Sequence, residues 1–172
     1  MAEIIPYTVL RDNREQKPLD FEYRKTPYHV CLGTEDTTLE TGDYTIKGLE
    51  DKLCVERKGS VSEIAQNLGT GNMRFMDEIA RMASFPHKFI ICEFPFSDLM
   101  RWPEGAGLSY AQQKKVRIRA NYMIMRMTEF QVQNGIQVMY FDNRDQAQKY
   151  MSNLFKRVNE IYPAECRNES SS

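Results

Sequence analysis

The sequence predicts an α/β fold in which one mixed central sheet is flanked by helices. Three observations predict it. Short β-prone runs crowd the first third of the chain. A nearly continuous apolar run at 88–94 suits a strand covered on both faces. Stretches with apolar residues at helical spacing then alternate with strand-like runs to the end, the pattern of helices laid on a sheet.

Taken in order, residues 8–11 read as a short strand closed by polar residues, and 28–32 as another that stops at Gly33. Residues 37–46 predict a strand interrupted or turned at Gly42-Asp43, and 53–58 a fourth strand. Ser60, with Glu63 three places on, reads as a capping box that opens a helix to about Leu68. Gly69-Thr70-Gly71-Asn72 breaks it. The helix resumes over 73–84, where Phe75, Met76, Ile79, Met82 and Ala83 recur at helical spacing. The apolar strand at 88–94 follows. Ser109 then predicts the start of one long helix to Asn134, with Gly135 as its stop. Residues 136–141 give the last strand. Asn143 and Gln146 cap a final helix with the stripe Ala147, Tyr150, Met151, Leu154, Phe155, Val158 and Ile161, ended by Pro163.

At 172 residues, 41% hydrophobic and 27% charged, the chain can bury a substantial core and is too apolar for disorder. One domain over 1–166 with a polar tail at 167–172 is the expected organisation. No apolar run reaches the roughly 18 residues of a spanning helix, and the first residues lack the basic and apolar regions of a secretory signal. A cytoplasmic location follows as the expectation, or a nuclear one in a eukaryote. Cys31, Cys54, Cys92 and Cys166 show no CxxC spacing, so buried reduced thiols are expected rather than zinc or disulfides. With only His29 and His87, chemistry that needs a histidine cluster is poorly supplied. Any active site must run on carboxylates, lysine and arginine.

The residues of that kind concentrate at strand ends. Period two along 53–58 puts Glu56 and Lys58 on one face and Arg57 on the other. The turn at Gly42-Asp43 precedes them far enough for a hairpin that returns Asp43 beside Glu56. Two carboxylates on neighbouring strands can hold a hard divalent cation, and a lysine two residues on can position water or steady charge. On these residues alone, a solvated strand end with an ion pair fits equally. Asp12-Asn13-Arg14-Glu15 adds carboxylates and an arginine at another strand end, or else simply closes that strand with a turn.

Together, residues 9–15 (Val-Leu-Arg-Asp-Asn-Arg-Glu), Gly42-Asp43-Tyr44 and Val55-Glu56-Arg57-Lys58 resemble the nuclease domain of the XPF-type structure-specific endonucleases. Their signature is Gly-Asp, a spacer, then Glu-Arg-Lys, three residues and an acid, preceded by Asp-x-Arg-Glu. The resemblance runs from about Thr8 to Val158, since the last strand, Asp142-Asn143-Arg144 and the final helix also look like that domain. It implies a restriction-endonuclease-like fold and a Mg2+- or Mn2+-dependent DNA endonuclease acting on branched or flapped DNA. It implies Asp43 and Glu56 as metal ligands, with Glu15 beside them as a further ligand or through water. Lys58 would act on the nucleophilic water, Arg14 and Arg57 on phosphate charge or the carboxylates, and Asp12 would support the cluster. Arg74 resembles an arginine often found after such a glycine-rich break. One departure stands out: the final acid of the signature falls on Ser62, with Glu63 one place later. Glu63 either substitutes for it or only caps the helix with Ser60.

Nucleic-acid binding must come from charge distribution, because the net charge is −1. No acid lies between Glu104 and Glu129, whereas Lys114, Lys115, Arg117, Arg119 and Arg126 do. On the predicted long helix Lys114, Arg117 and Asn121 share a face. Such a band could neutralise phosphates, or be an ordinary solvated face. Trp102 offers either an exposed ring or a buried loop anchor. The same helix is apolar on two sides, one carrying Val116, Met123, Met127 and Phe130, the other Ile118, Tyr122, Met125 and Val132. The final helix adds Met151, Phe155 and Tyr162. A homodimer through the C-terminal helices, as the resemblance implies, or extra core burial would account for both. No helix-hairpin-helix module is evident, so a stand-alone nuclease is expected, with selectivity from the dimer or from a helicase or other replication or repair protein. The alternatives are a catalytically inactive DNA-binding or scaffold relative, and a restriction- or resolvase-like nuclease with a different substrate.

Overall fold

The computed structural model describes residues 4–162 and Arg167. Seven strands form one sheet in the order β2-β3-β1-β4-β5-β6-β7. They are β1 (Tyr7–Asp12), β2 (Arg24–Lys25), β3 (Val30–Thr37), β4 (Tyr44–Ile46), β5 (Leu53–Lys58), β6 (His87–Cys92) and β7 (Gln137–Tyr140). β1 runs parallel to β3 and antiparallel to β4, β4–β5 is antiparallel, and β5–β6–β7 are parallel, so the sheet is mixed.

Alternation along the central strands assigns their two faces. Cys54, Ile90 and Cys92 point into one core with the buried residues of α1 (Val61–Leu68), α2 (Asn72–Met82), α3 (Phe96–Arg101) and α5 (Ala120–Asn134). Leu53, Val55, Phe89 and Ile91 point the other way, towards α6 (Arg144–Ile161) and the segment carrying Leu19 and Phe21. Phe21 locks that second core edge-on against Tyr44 and Phe155, with centroids 5.9 and 5.0 Å away. Contacts of this kind add about 0.5–1.5 kcal/mol each beyond burial.

Several elements differ from the sequence reading. β3 does not end at Gly33: the glycine stays in the strand at φ +117° and the strand continues to Thr37. The predicted strand at 37–46 is only Tyr44–Ile46, preceded by an irregular stretch. The long helix at 109–134 is two helices, α4 (Tyr110–Lys115) and α5, joined by an extended link from Val116 to Arg119. No glycine or proline marks that break. It comes from tertiary packing: Val116 and Ile118 lie against the core, and the Trp102 indole N–H donates to the Ile118 carbonyl at 2.9 Å. Lys114, Arg117 and Asn121 therefore do not share a helix face.

Trp102 is the buried anchor, 7% exposed. Ile118 and Tyr122 pack on the core instead of forming a second free side, and Met151 and Phe155 are fully buried within it. The remaining apolar exposure on α5 and α6 is Met125, Val132 and Ile161. Cys31, Cys54 and Cys92 are free and buried, while Cys166, Pro163 and most of the tail lie outside the described residues. Among the described residues no helix is long and apolar enough to cross a membrane.

Candidate active site

A cleft of about 1250 Å³ opens at one end of β4 and β5, between the N-terminal loop and α1–α2. Tyr44 of β4 pairs with Val55 of β5, which stands Asp43 opposite Glu56, as the hairpin reading required. The turn delivering Asp43 is built for that place. Gly42 sits at φ +77°, where a Cβ would lie 2.6 Å from the Cys54 sulfur and 3.1 Å from the Val55 carbonyl. The Asp43 N–H donates to the Val55 carbonyl at 2.8 Å, and its carboxylate accepts from the Arg57 backbone N–H at 2.7 Å.

Two carboxylates facing each other on paired strands in a cleft resist ionising together. Burial first, then the charge of Glu56, raises the Asp43 carboxyl well above its ordinary range. Burial also raises Glu56, against the opposing pull of Lys58. The Lys58 ammonium donates to Glu56 at 2.8 Å and reaches Glu63 at 3.4 Å, over the Phe75 ring. Burial disfavours its charge, but the neighbouring carboxylates, Glu56 foremost, outweigh that and hold it protonated. Lys58 thus stands in the cleft as a hydrogen-bond donor.

Glu63 caps the helix through its backbone and turns its side chain to the cleft. Its backbone N–H donates to the Ser60 hydroxyl, while its carboxylate faces Lys58 and accepts from the Gly59 N–H at 2.9 Å. The reciprocal half of a capping box is absent, because the carboxylate has turned to the cleft.

Arg57, on the opposite face, is 5% exposed and pairs with two carboxylates: Glu15 at 2.9 Å and Glu93 at 2.8 Å. Glu15 is therefore committed to Arg57. It does not join Asp43 and Glu56 in a compact ligand cluster, and no group of three His, Cys, Asp or Glu forms one among the described residues. Asp12 is buried and holds the strand end, accepting from the Leu39 N–H at 2.9 Å and from the Arg14 side chain at 2.7 and 2.8 Å. Those bonds, Arg14 foremost, keep its carboxyl below the usual range. Arg14 and Arg74 line the cleft. Lys114 and Lys115 lie on α4, and Arg117 and Arg119 in the link after it; all four are exposed and outside the cleft lining. Arg126 is tied to Glu129.

Two functional-looking residues, Glu78 and Glu93, escaped sequence reasoning, and Arg144 was legible only as part of the resembling Asp142-Asn143-Arg144 segment. Glu78 of α2 accepts from the Gly42 N–H at 2.6 Å and is paired with Arg81, which also donates to Thr41. It clamps the turn that carries Asp43, but in the sequence it looks like any solvated helix carboxylate. Glu93 follows β6 at the same sheet end as Lys58, to whose carbonyl its N–H donates at 2.9 Å. A charge at the carboxyl end of a buried parallel strand was the available signal. Arg144 opens α6, approaches Glu93 at 4.0 Å and donates to the carbonyls of Lys17 and Pro18.

The ERCC4 domain family model matches residues 11–154 of this chain. No curated protein matches it. Among solved structures the chain is similar to XPF from Aeropyrum pernix, with TM-score 0.53 and 20% identity over 90% of this chain and 64% of that one. A second structure, XPF from Aeropyrum pernix in complex with DNA, gives TM-score 0.58 and 21% identity over 92% of this chain and 69% of that one. The chain thus spans about two thirds of the length of the XPF chains it resembles. Identity this low speaks for the fold alone, and the fold is restriction-endonuclease-like. With the family match covering most of its length, the chain belongs to the ERCC4-domain, XPF-type nuclease family.

Proposed function

We propose that the chain is a Mg2+- or Mn2+-dependent endonuclease that hydrolyses phosphodiester bonds in branched or flapped DNA. The observation that carries this is the floor of the cleft: Asp43 opposite Glu56, with a protonated Lys58 2.8 Å from Glu56. The donor set fits a hard cation. Two carboxylates facing each other across β4 and β5, both disfavoured as anions by burial and by neighbouring acids, gain from a positive ion, and Mg2+ takes one or two carboxylates and keeps its waters. Glu15, held by Arg57, would sit beside such an ion, as a further ligand or through water. When bound, the cation supplies Lewis-acid polarisation of a phosphoryl oxygen and a more acidic water.

The chain's own side chains do the rest. Lys58 donates a hydrogen bond to the attacking water or to the phosphate and places it over Glu56. Arg57 fixes Glu15 and Glu93 so that the cleft wall keeps its shape. Arg14 and Arg74, on the cleft lining, neutralise phosphates, and Lys114, Lys115, Arg117 and Arg119 extend that charge beyond α1. Pairing with a second copy, or with a helicase or other repair protein, would add structure selectivity.

The test uses labelled duplex, flap, fork, nicked and four-way-junction DNA, with wild type and Asp43→Asn, in Mg2+, Mn2+ or chelator. Cutting near the branch should need the metal, vanish in Asp43→Asn, and leave folding and DNA binding intact. An active Asp43→Asn protein, or cutting undiminished in chelator, overturns the assignment. Binding without cutting of any substrate would instead mark a scaffold.

A further inference from the structure

We propose that α4 and the link after it form a platform for single-stranded DNA, across α1 from the cleft. The proposal rests on the reading of the chain as a DNA-acting protein, and it names the form of DNA that this second surface takes.

α4 buries no residue, so the core gives no reason for it. It is nevertheless held firmly. Ser109 and Gln112 form a complete capping box, Gln113 donates to the Leu108 carbonyl at 3.0 Å, and Trp102 ties the following link through Ile118. A six-residue helix fixed at both ends, with Gln113 as its one half-buried side chain and the other five exposed, is a presented surface.

Its chemistry is basic and aromatic. Lys114, Lys115, Arg117 and Arg119 are all exposed, and none has an ion-pair partner among the described residues. The stretch from 105 to 128 contains no carboxylate, so this charge is uncompensated in a chain of net charge −1. Tyr110 is 73% exposed, with the Lys114 ammonium 4.5 Å from its ring centroid. A ring with a cation beside it suits a stacked base with its phosphate alongside.

Beside the helix runs a groove of about 390 Å³, with Trp102, Leu108 and Val116 as apolar walls and Gln112 and Lys115 as polar ones. Gln66 of α1 borders both this groove and the cleft, so the two are continuous around α1. The charge complementarity selects a polyanion, and the open ring selects one with free π-faces. In a duplex those faces are already stacked inside the helix. The occupant is therefore an unpaired strand leaving the cleft over α1.

Fluorescence anisotropy of a labelled oligo(dT), with a blunt duplex of equal length as the second ligand, tests this in chelator so that no cleavage intervenes. Tyr110→Ala should weaken oligo(dT) binding about tenfold, and Tyr110→Phe should restore it, because only the ring is needed. Lys114→Ala/Lys115→Ala should reduce the slope of log K against log salt by about 1.4, the loss of two single-strand phosphate contacts. None of these side chains is buried, and thermal melting of each variant should match wild type. Wild-type affinity and slope in Tyr110→Ala and in the double variant overturn the platform. Equal losses on the blunt duplex overturn its assignment to a single strand. Asp43→Asn, carried as a binding control, separates this result from that of the nuclease reading: the platform stands or falls on binding, the active site on cutting.

Discussion

Arg57 is the side chain on which the cleft wall depends. Its guanidinium faces Glu15 and Glu93, and all three side chains are at most 11% exposed. A buried pair need not be worth more than an apolar substitute of the same shape, but removing one member strands the other's charge. Here one removal strands two. Arg57→Met should therefore cost about 3–5 kcal/mol in urea denaturation, far more than the loss of an exposed pair such as Arg101–Asp98, about 0–1 kcal/mol. Arg57→Met stability within 1 kcal/mol of wild type would mean that water already solvates the two carboxylates. Asp12 shows the same logic from the acid's side. It is a buried carboxylate satisfied by a backbone N–H and by a largely exposed arginine, so its place is structural support for the strand that leads to Glu15.

At the scale of the element, the turn before β4 is the most demanding piece of backbone in the site. Gly42 combines a left-handed φ with contact to Cys54 and the Val55 carbonyl, and its N–H is held by Glu78. Gly42→Ala meets both penalties at once, backbone conformation and clash, and should lose about 2–3 kcal/mol. Because Asp43 follows directly, cleavage should fall with stability. Thermal melting alongside the flap assay checks this, and an alanine variant with wild-type Tm would show that the turn can relax. What was legible in the sequence here is what local rules govern: the Gly-Asp turn, the shared face of Glu56 and Lys58, the Ser60 cap and the Gly135 stop, which sits at φ +66°. The rest is set by tertiary packing. Nothing local distinguishes Val116–Arg119 from helix, because the core and Trp102 pull that link straight. Nothing local distinguishes Glu78 from a solvated carboxylate, because its role exists only once α2 lies over Gly42. Glu63 is the intermediate case: its backbone obeys the capping rule while its side chain answers to Lys58.

Across the whole molecule, the sheet separates two cores, and α6, with the segment carrying Leu19 and Phe21, closes the second. It also reaches back to the chain's beginning: Asn159 donates to the Ile5 carbonyl, Gln148 to that of Asp20, and Arg144 to Lys17 beside the cleft. This closure restricts how a second copy could attach. Met151 and Phe155 cannot contribute, because they are fully buried in the protomer's own core. A dimer through the C-terminal helices must use what they leave outside, chiefly Val132 of α5, 78% exposed, and Ile161 of α6, 58% exposed. A stable interface covers about 800 Å² per partner with a dry apolar centre, and an unpaired carboxylate placed there is costly to bury. Wild type should therefore sediment as a dimer at micromolar concentration, and Val132→Glu/Ile161→Glu as a monomer. Both side chains are exposed in the protomer, so the monomer's melting temperature should be that of the wild-type chain diluted to its own monomeric state. If wild type is monomeric at every concentration, the C-terminal helices serve only the core. If the double variant stays dimeric, the copies meet elsewhere.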